Sequence, residues 1–261
     1  MRVFLAGDIK KAEFFESMKT FPMRNDGTVH DQGYIDAATL ESFYYARKND
    51  RMQKLIPMFK DFLLDSGAFT FMCGSHGKSI DWERYVEEYA EFIKRLKVAK
   101  YLELDIDSIT GYGYVQKLRA KLEGLVGYPC IPVWHKGRGK EEFLRMCDVY
   151  PYVAIGGIVT REISQSEHRY FPWFINEAHK RSAKIHGLGY TNLAGLRKYH
   201  FDSVDSTAWT TGNRFGHIYR FDGKTLQKIP VPPNMRLDTY AAAQNNFAEW
   251  IKFQRYAEKH L

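Results

Sequence analysis

Three aspartates stand where a run of mostly apolar residues stops. Asp65 follows Phe62-Leu63-Leu64, Asp105 follows Leu102-Glu103-Leu104, and Asp205 follows Phe201-Asp202-Ser203-Val204. Short apolar runs of this kind read as buried strands, so each carboxylate is delivered to a strand end. Carboxyls gathered in an apolar setting ionise at different pH values, so one stays protonated while another is charged. General acid, general base and nucleophile chemistry need that split. Taken singly, a strand-end aspartate serves equally well to cap a helix or hold loop amides. His135 ends a fourth run, where an imidazole can recognise a ligand or shuttle a proton. Gly156-Gly157 and Gly187-Leu188-Gly189 end two more. Glycines there either let backbone amides approach a flat ligand or simply form tight turns. Three acids beside a histidine and two glycine turns favour one shared site.

The elements that must carry these residues follow from the hydrophobic pattern. Strands are expected at 2–6, 39–46, 62–64, 101–105, 130–134, 152–155, 184–188 and 201–204. Helical spacing is clearest at 80–97, where Asp81 can cap and Trp82, Tyr85, Val86, Tyr89, Phe92, Ile93 and Leu96 share a face. Further helices are expected at 114–125, 140–147, 172–181 and 191–199, and a short one from 52 that Pro57 interrupts. Eight strands mostly separated by helices specify a (β/α)8 TIM barrel, whose chemistry sits at the C-terminal ends of the strands. The segment 39–46 is ambiguous between strand and helix, and without it a seven-strand or open doubly wound sheet results. Beyond the last strand, a hairpin over 217–229 turns at Asp222-Gly223-Lys224 and stops at Pro230, Pro232 and Pro233. A long helix over 238–260 follows. The whole of 1–261 is read as one catalytic domain with hairpin and helix appended.

Composition sets outer bounds. With 44% hydrophobic residues, 18 Phe and 17 Tyr, the 261-residue chain can fill a barrel core. The net charge of +7 is compatible with a polyanionic partner. The basic stretches 136–145 and 214–228 follow strand ends and either grip phosphates or form a solvated surface. Cys73, Cys130 and Cys147 are widely spaced. They fit neither a zinc motif nor a disulfide scaffold, and read as free thiols in a reducing cytoplasm. No signal peptide or membrane span is expected, nor any metal or cofactor.

Taken together, these segments resemble the tRNA-guanine transglycosylases. Asp65-Ser66-Gly67-Ala68-Phe69 resembles their DSGG-[FY]-Q motif, and Leu104-Asp105 their FDE motif. Trp134-His135 lies where they place a glutamine. Ala154-Ile155-Gly156-Gly157-Ile158 is similar to VGGL, His186-Gly187-Leu188-Gly189 to LMGVG, and Asp202-Ser203-Val204-Asp205-Ser206 to DMFDC or DLFDS. All six fall in family order over 62–206. The resemblance implies a (β/α)8 barrel that exchanges guanine in a nucleic acid for a 7-deazaguanine base such as preQ0. It makes Asp205 the nucleophile on the sugar C1′ and Asp65 the general acid/base. Asp105 becomes the group that binds the purine's Watson–Crick edge, aided by His135 and the backbone at Gly156-Gly157, with Ser66, Gly187 and Gly189 completing the substrate site. An aspartate nucleophile with a second carboxyl acting first as acid and then as base follows retaining-glycosidase logic.

This chain departs from the tRNA enzymes in having no cysteine after Cys147, so their three-cysteine, one-histidine zinc site is missing. Ala68 replaces a glycine and His135 the glutamine. It is closer to the zinc-lacking phage and bacterial enzymes that insert 7-deazaguanines into DNA, which makes DNA the expected substrate rather than tRNA. Such an enzyme takes its base extruded or single-stranded, for which a basic rim with Trp209 and Phe215 would suit. Two alternatives stay open. One is a barrel N-glycosidase with water as acceptor; the other is a non-catalytic nucleic-acid-binding partner subunit.

Overall fold

Strands that are apolar on both faces need cover on both sides, and a parallel sheet with helices outside supplies it. The computed structural model describes residues 1–7, 11–23, 28–29, 32–73, 80–232 and 236–261, with the backbone alone at 72, 73, 213 and 214. Seven strands form one sheet: β1 (Arg2–Leu5), β2 (Ile35–Ser42), β3 (Phe59–Asp65), β4 (Val133–Trp134), β5 (Tyr152–Ile155), β6 (Lys184–Gly187) and β7 (Ser203–Ser206). Their order is β3-β2-β1-β7-β6-β5-β4, and every pair is parallel. The sheet curls as in a TIM-like barrel. Its concave face packs against itself through Phe4, Ala6, Ala38, Leu40, Leu63, Leu102, Ile131, Val133 and Ala154.

The expected eighth regular strand is absent among the described residues. Residues 101–102, where a fourth strand was expected, instead join the two sheet edges through single parallel bridges. Tyr101 pairs with Leu64 of β3, and Leu102 pairs with Ile131 just ahead of β4. The ladder stops there for a local reason. The Val133 amide donates to the Glu103 carboxylate (2.7 Å), a side chain standing where a neighbouring strand's backbone carbonyl would accept. The ambiguous segment 39–46 also shifts. β2 begins at Ile35 and ends at Ser42, and Phe43–Ala46 is a helical turn. Small residues at Ala37 and Ala38 made its start hard to read.

Helices cover the outer face of the curled sheet in two groups. One comprises Trp82–Leu96 and Tyr112–Val126, the other Gly139–Val149, Phe171–Lys180 and Thr239–His260. As expected, Asp81 caps its helix by accepting the Arg84 amide (3.0 Å); the Asn192 side chain likewise caps Leu193–Lys198. The hairpin β8 (His217–Phe221) and β9 (Leu226–Pro230) is held to the final helix, whose Asn246 and Glu249 accept the Tyr219 and Phe221 amides. Pro233, one of the expected stops, lies outside the described residues. At the opposite end from the aspartate mouth, buried Asp61 is clasped by Arg2 and Lys100. No helix among the described residues is long and apolar enough to cross a membrane.

β1 and β2 pair through one residue couple, Leu5 with Thr39. Below it, the Gln254 side-chain amide of the last helix enters the seam. Its nitrogen donates to Val3 O (2.6 Å) and Ala38 O (2.7 Å), and its oxygen accepts from Ala38 N (2.9 Å). Gln254→Leu strands three buried backbone groups, which costs about 3 kcal/mol at typical desolvation penalties. Urea unfolding is expected to show that loss, and a variant as stable as the parent would refute the role given to Gln254.

Candidate active site

The C-terminal ends of β3, β4 and β7 carry Asp65, His135 and Asp205 to one mouth. Together with Asp105, Gly157 and Gly189 these residues line a cavity of about 620 Å³. Ser42, Glu41, Phe69, Val159 and Thr160 complete much of its wall. A second polar hollow adjoins it and shares Asp105, His135 and Thr160.

Asp65 sits on a turn that only glycine allows. Its Oδ2 accepts the Gly67 amide (3.0 Å). Gly67 has φ +88°, and a Cβ there would lie 2.7 Å from Tyr44 Cβ. Tyr85 donates to Ser66 O (2.6 Å), which pins the same turn from below. Burial, then the charges of Asp105 and Asp205, push the Asp65 carboxyl up to about 7, against the pull of the Gly67 amide and Ser42. Such a group gives and takes a proton near neutrality.

Asp105 is held by an imidazole clamp. His135 Nε2 lies 2.9 Å from Asp105 Oδ2 and His135 Nδ1 2.9 Å from Glu162 Oε2. Burial pulls His135 down, but its hydrogen bonds to Asp105 and Glu162 and their negative charges outweigh this and hold it at about 10. At neutral pH both ring nitrogens therefore donate, and Asp105 Oδ1 is left for a ligand. The His135 contact in turn keeps Glu162 below the usual carboxylate range.

The clamp explains the glycine pair differently from its sequence reading. A Cβ on Gly156 would lie 2.8 Å from His135 Cε1, and its amide is already spent on Trp134 O (2.8 Å). Gly157 has φ +78°, and a Cβ there would meet Glu162 Oε2 at 2.7 Å. The pair makes room for the His135–Glu162 contact. Gly157 reaches the cavity wall; Gly156 backs the imidazole and is not among the lining residues.

Asp205 is fixed through one oxygen. Its Oδ1 accepts from the Gly189 amide (2.6 Å) and faces His186 Nε2 (3.1 Å). Gly189, at φ +71°, is required because a Cβ would collide with Val159.

Several expected site residues lie elsewhere. Ser66 is fully buried and accepts the Ala68 amide (3.4 Å), so it shapes the turn. Gly187 is part of β6, packed near Phe201 and Tyr190. Trp209 is a core residue donating to Ala6 O (2.7 Å), whereas Phe215 is 73% exposed. Arg138, within the first basic stretch, is buried and neutralised by Glu103 and Asp107, and Lys136 pairs with Glu167. Neither is a free phosphate grip. Of the second stretch, the Arg214 side chain lies outside the described residues.

Sequence reading missed Glu162, His186 and the buried ion pair of Lys11 with the cavity-lining Glu41. His186 had a signal, since alternation in Lys184–Gly187 turns it inward while Ile185 faces the helices. Glu162 had none, because its partner lies 27 residues away. Cys130 and Cys147 are free and buried; the Cys73 side chain is outside the described set. Among the described residues no group of three or more His, Cys, Asp or Glu is arranged to hold a metal ion.

No family model and no curated protein matches the chain. Among solved structures it is similar to QR15, an aldolase, with a TM-score of 0.40 and 13% identity over 67% of this chain and 90% of that one.

Two measurements check the electrostatics. Glu162→Gln removes one of the two charges on His135, so the His135 titration midpoint in NMR is expected to fall from about 10 towards neutrality. An unmoved midpoint would refute the clamp. Asp65, raised in the fold, favours the folded state below its unfolded value near 3.8 and loses that advantage as pH rises through about 7. Asp65→Asn is therefore expected to gain stability relative to the parent between pH 4 and pH 8, by about 2 kcal/mol after screening by cavity water. Urea unfolding at the two pH values reads it, and a gain that is the same at both counts against the raised carboxyl.

Proposed function

We propose that the chain is a nucleic-acid guanine transglycosylase, acting on DNA in preference to tRNA, that exchanges guanine for a 7-deazaguanine base. One observation supports this above others: Asp65, Asp105 and Asp205 open onto a single cavity large enough for a nucleoside. The six sequence segments resembling the transglycosylase motifs supply the chemistry.

Asp205 attacks C1′ of the target nucleotide, and the bond from C1′ to the purine N9 breaks. Asp65 starts protonated and gives its proton to the departing guanine. The incoming base then returns a proton to Asp65 as its N9 displaces Asp205 from C1′. Atoms and charge balance over the two displacements, and no water is consumed. A carboxyl near 7 serves both halves. Asp105, with one oxygen clamped by His135, offers the other to the N1–H and 2-amino donors of the base. Guanine and a 7-deazaguanine share those donors, so one pocket admits both. The net charge of +7 favours a polyanion, and the missing zinc-binding cysteines favour DNA over tRNA.

The test uses DNA and isotope-labelled guanine. Label should enter the DNA without strand loss, and a covalent protein–DNA adduct should be trapped with the parent but not with Asp205→Asn. Asp65→Asn should slow adduct formation by about 10²–10⁴-fold. With the parent, adduct formation should decline above about pH 7 as Asp65 loses its proton. Release of free base without label uptake would assign the site to hydrolysis, and exchange surviving in Asp205→Asn would remove the nucleophile.

A further inference from the structure

Behind Asp205 lies a line of polar side chains that the exchange mechanism does not use. His186 is fully buried on β6, with Nε2 3.1 Å from Asp205 Oδ1 and Nδ1 2.5 Å from Ser203 Oγ. Ser203 is also buried, and its hydroxyl contacts the Tyr152 hydroxyl. Tyr152, Ser203 and His186 share the inward parity of β5, β7 and β6. The register sets Ser203 opposite His186. Phe4 meets the imidazole edge-on at 6.0 Å and fixes its plane.

Donor counting gives the line a direction. A carboxylate oxygen accepts, so His186 Nε2 carries the hydrogen that faces Asp205. Burial raises the Tyr152 phenol well above its ordinary range, so its proton stays on. Among the described residues the Tyr152 hydroxyl has Ser203 as its hydrogen-bond partner, so the phenol donates to Ser203 Oγ. The Ser203 hydroxyl then has its own hydrogen to give, and His186 Nδ1 is the group within reach. Every donor and acceptor is satisfied with a neutral ring, and no buried cation is created.

We propose that Tyr152, Ser203 and His186 form a one-way hydrogen-bond chain that holds His186 as its neutral Nε2–H tautomer and makes it the positioning residue for Asp205. His186 and the Gly189 amide occupy Oδ1 from two directions, so Oδ2 is the oxygen presented to the substrate. The geometry of the chain stands apart from any activity; its effect on rate rests on reading Asp205 as the nucleophile.

The experiment has two arms. In the first, ¹⁵N NMR of labelled histidine in the intact protein reads the ring directly. A protonated Nε2 with an unprotonated Nδ1 at pH 7 is expected, and a shift of that pattern in Ser203→Ala, which removes the donor to Nδ1. An Nδ1–H tautomer or a doubly protonated ring at pH 7 overturns the proposal. So does a pattern that Ser203→Ala leaves unchanged. In the second, base exchange is measured for His186→Phe and His186→Gln. The first removes the donor and is expected to lower kcat about 30-fold with KM nearly unchanged, as loss of orientation alone does. The second keeps an N–H donor and is expected to recover most of that rate. Equal losses in both variants, or a loss confined to KM, overturn the positioning role. If the parent shows no exchange, the function reading fails, while the first arm still decides the tautomer.

Discussion

Carboxyls buried together at one end of a sheet lose hydration and repel one another, and the site is organised around those two costs. Asp65, Asp105 and Asp205 share a single mouth, and each is accommodated by a different means. Asp105 has a cation: His135, held at about 10 by Asp105 and Glu162 despite its burial. Asp205 has neutral donors, the Gly189 amide and the His186 ring. Asp65 has neither a cation nor a full set of donors, so burial first, and then the charges of Asp105 and Asp205, raise its carboxyl to about 7 and it keeps a proton. The three solutions make the three groups chemically distinct although they are the same residue type. The differentiation is what acid, nucleophile and recognition roles require.

The sheet that holds them is not a continuous ladder. At three seams a side chain replaces a backbone partner. Gln254 lies between β1 and β2, and Glu103 accepts the Val133 amide ahead of β4. Asp202 accepts the Ile185 amide (2.8 Å) between β6 and β7. Each seam satisfies a buried backbone group that would otherwise lose hydration without return. The substitution at Glu103 also accounts for a bridging pair of residues where a regular strand was expected. Glu103 is fully buried and is itself balanced by Arg138 and Arg119, so one patch draws two further charges inward.

What could be read from the sequence divides along the same line. The helix Trp82–Leu96 was plain because its apolar period and its Asp81 cap are both local. Asp65, His135 and Asp205 were found because an apolar run ending in a polar residue is also a local signal. The start of β2 was misplaced, since Ala37-Ala38 carries little strand preference. Gly156-Gly157 was noticed, as a ligand approach or a tight turn, but without the partners that shape it. Its glycines answer to His135 and Glu162, which no spacing rule links to them. Arg138 looked exposed, as a phosphate grip or part of a solvated surface, because its acids, Glu103 and Asp107, stand over thirty residues upstream. Local patterns located the strand ends; the partners that tune them became visible only in three dimensions.

The seam filled by Gln254 has a bearing on how the chain is made. Val3 is synthesised well before its partner, because its carbonyl is met by a side chain 251 positions later. Closing so long a loop is slow by nature. Until Gln254 has been made, the edge between β1 and β2 is therefore unfinished, and its exposed carbonyls and amide are open to solvent, to chaperones or to neighbouring nascent chains.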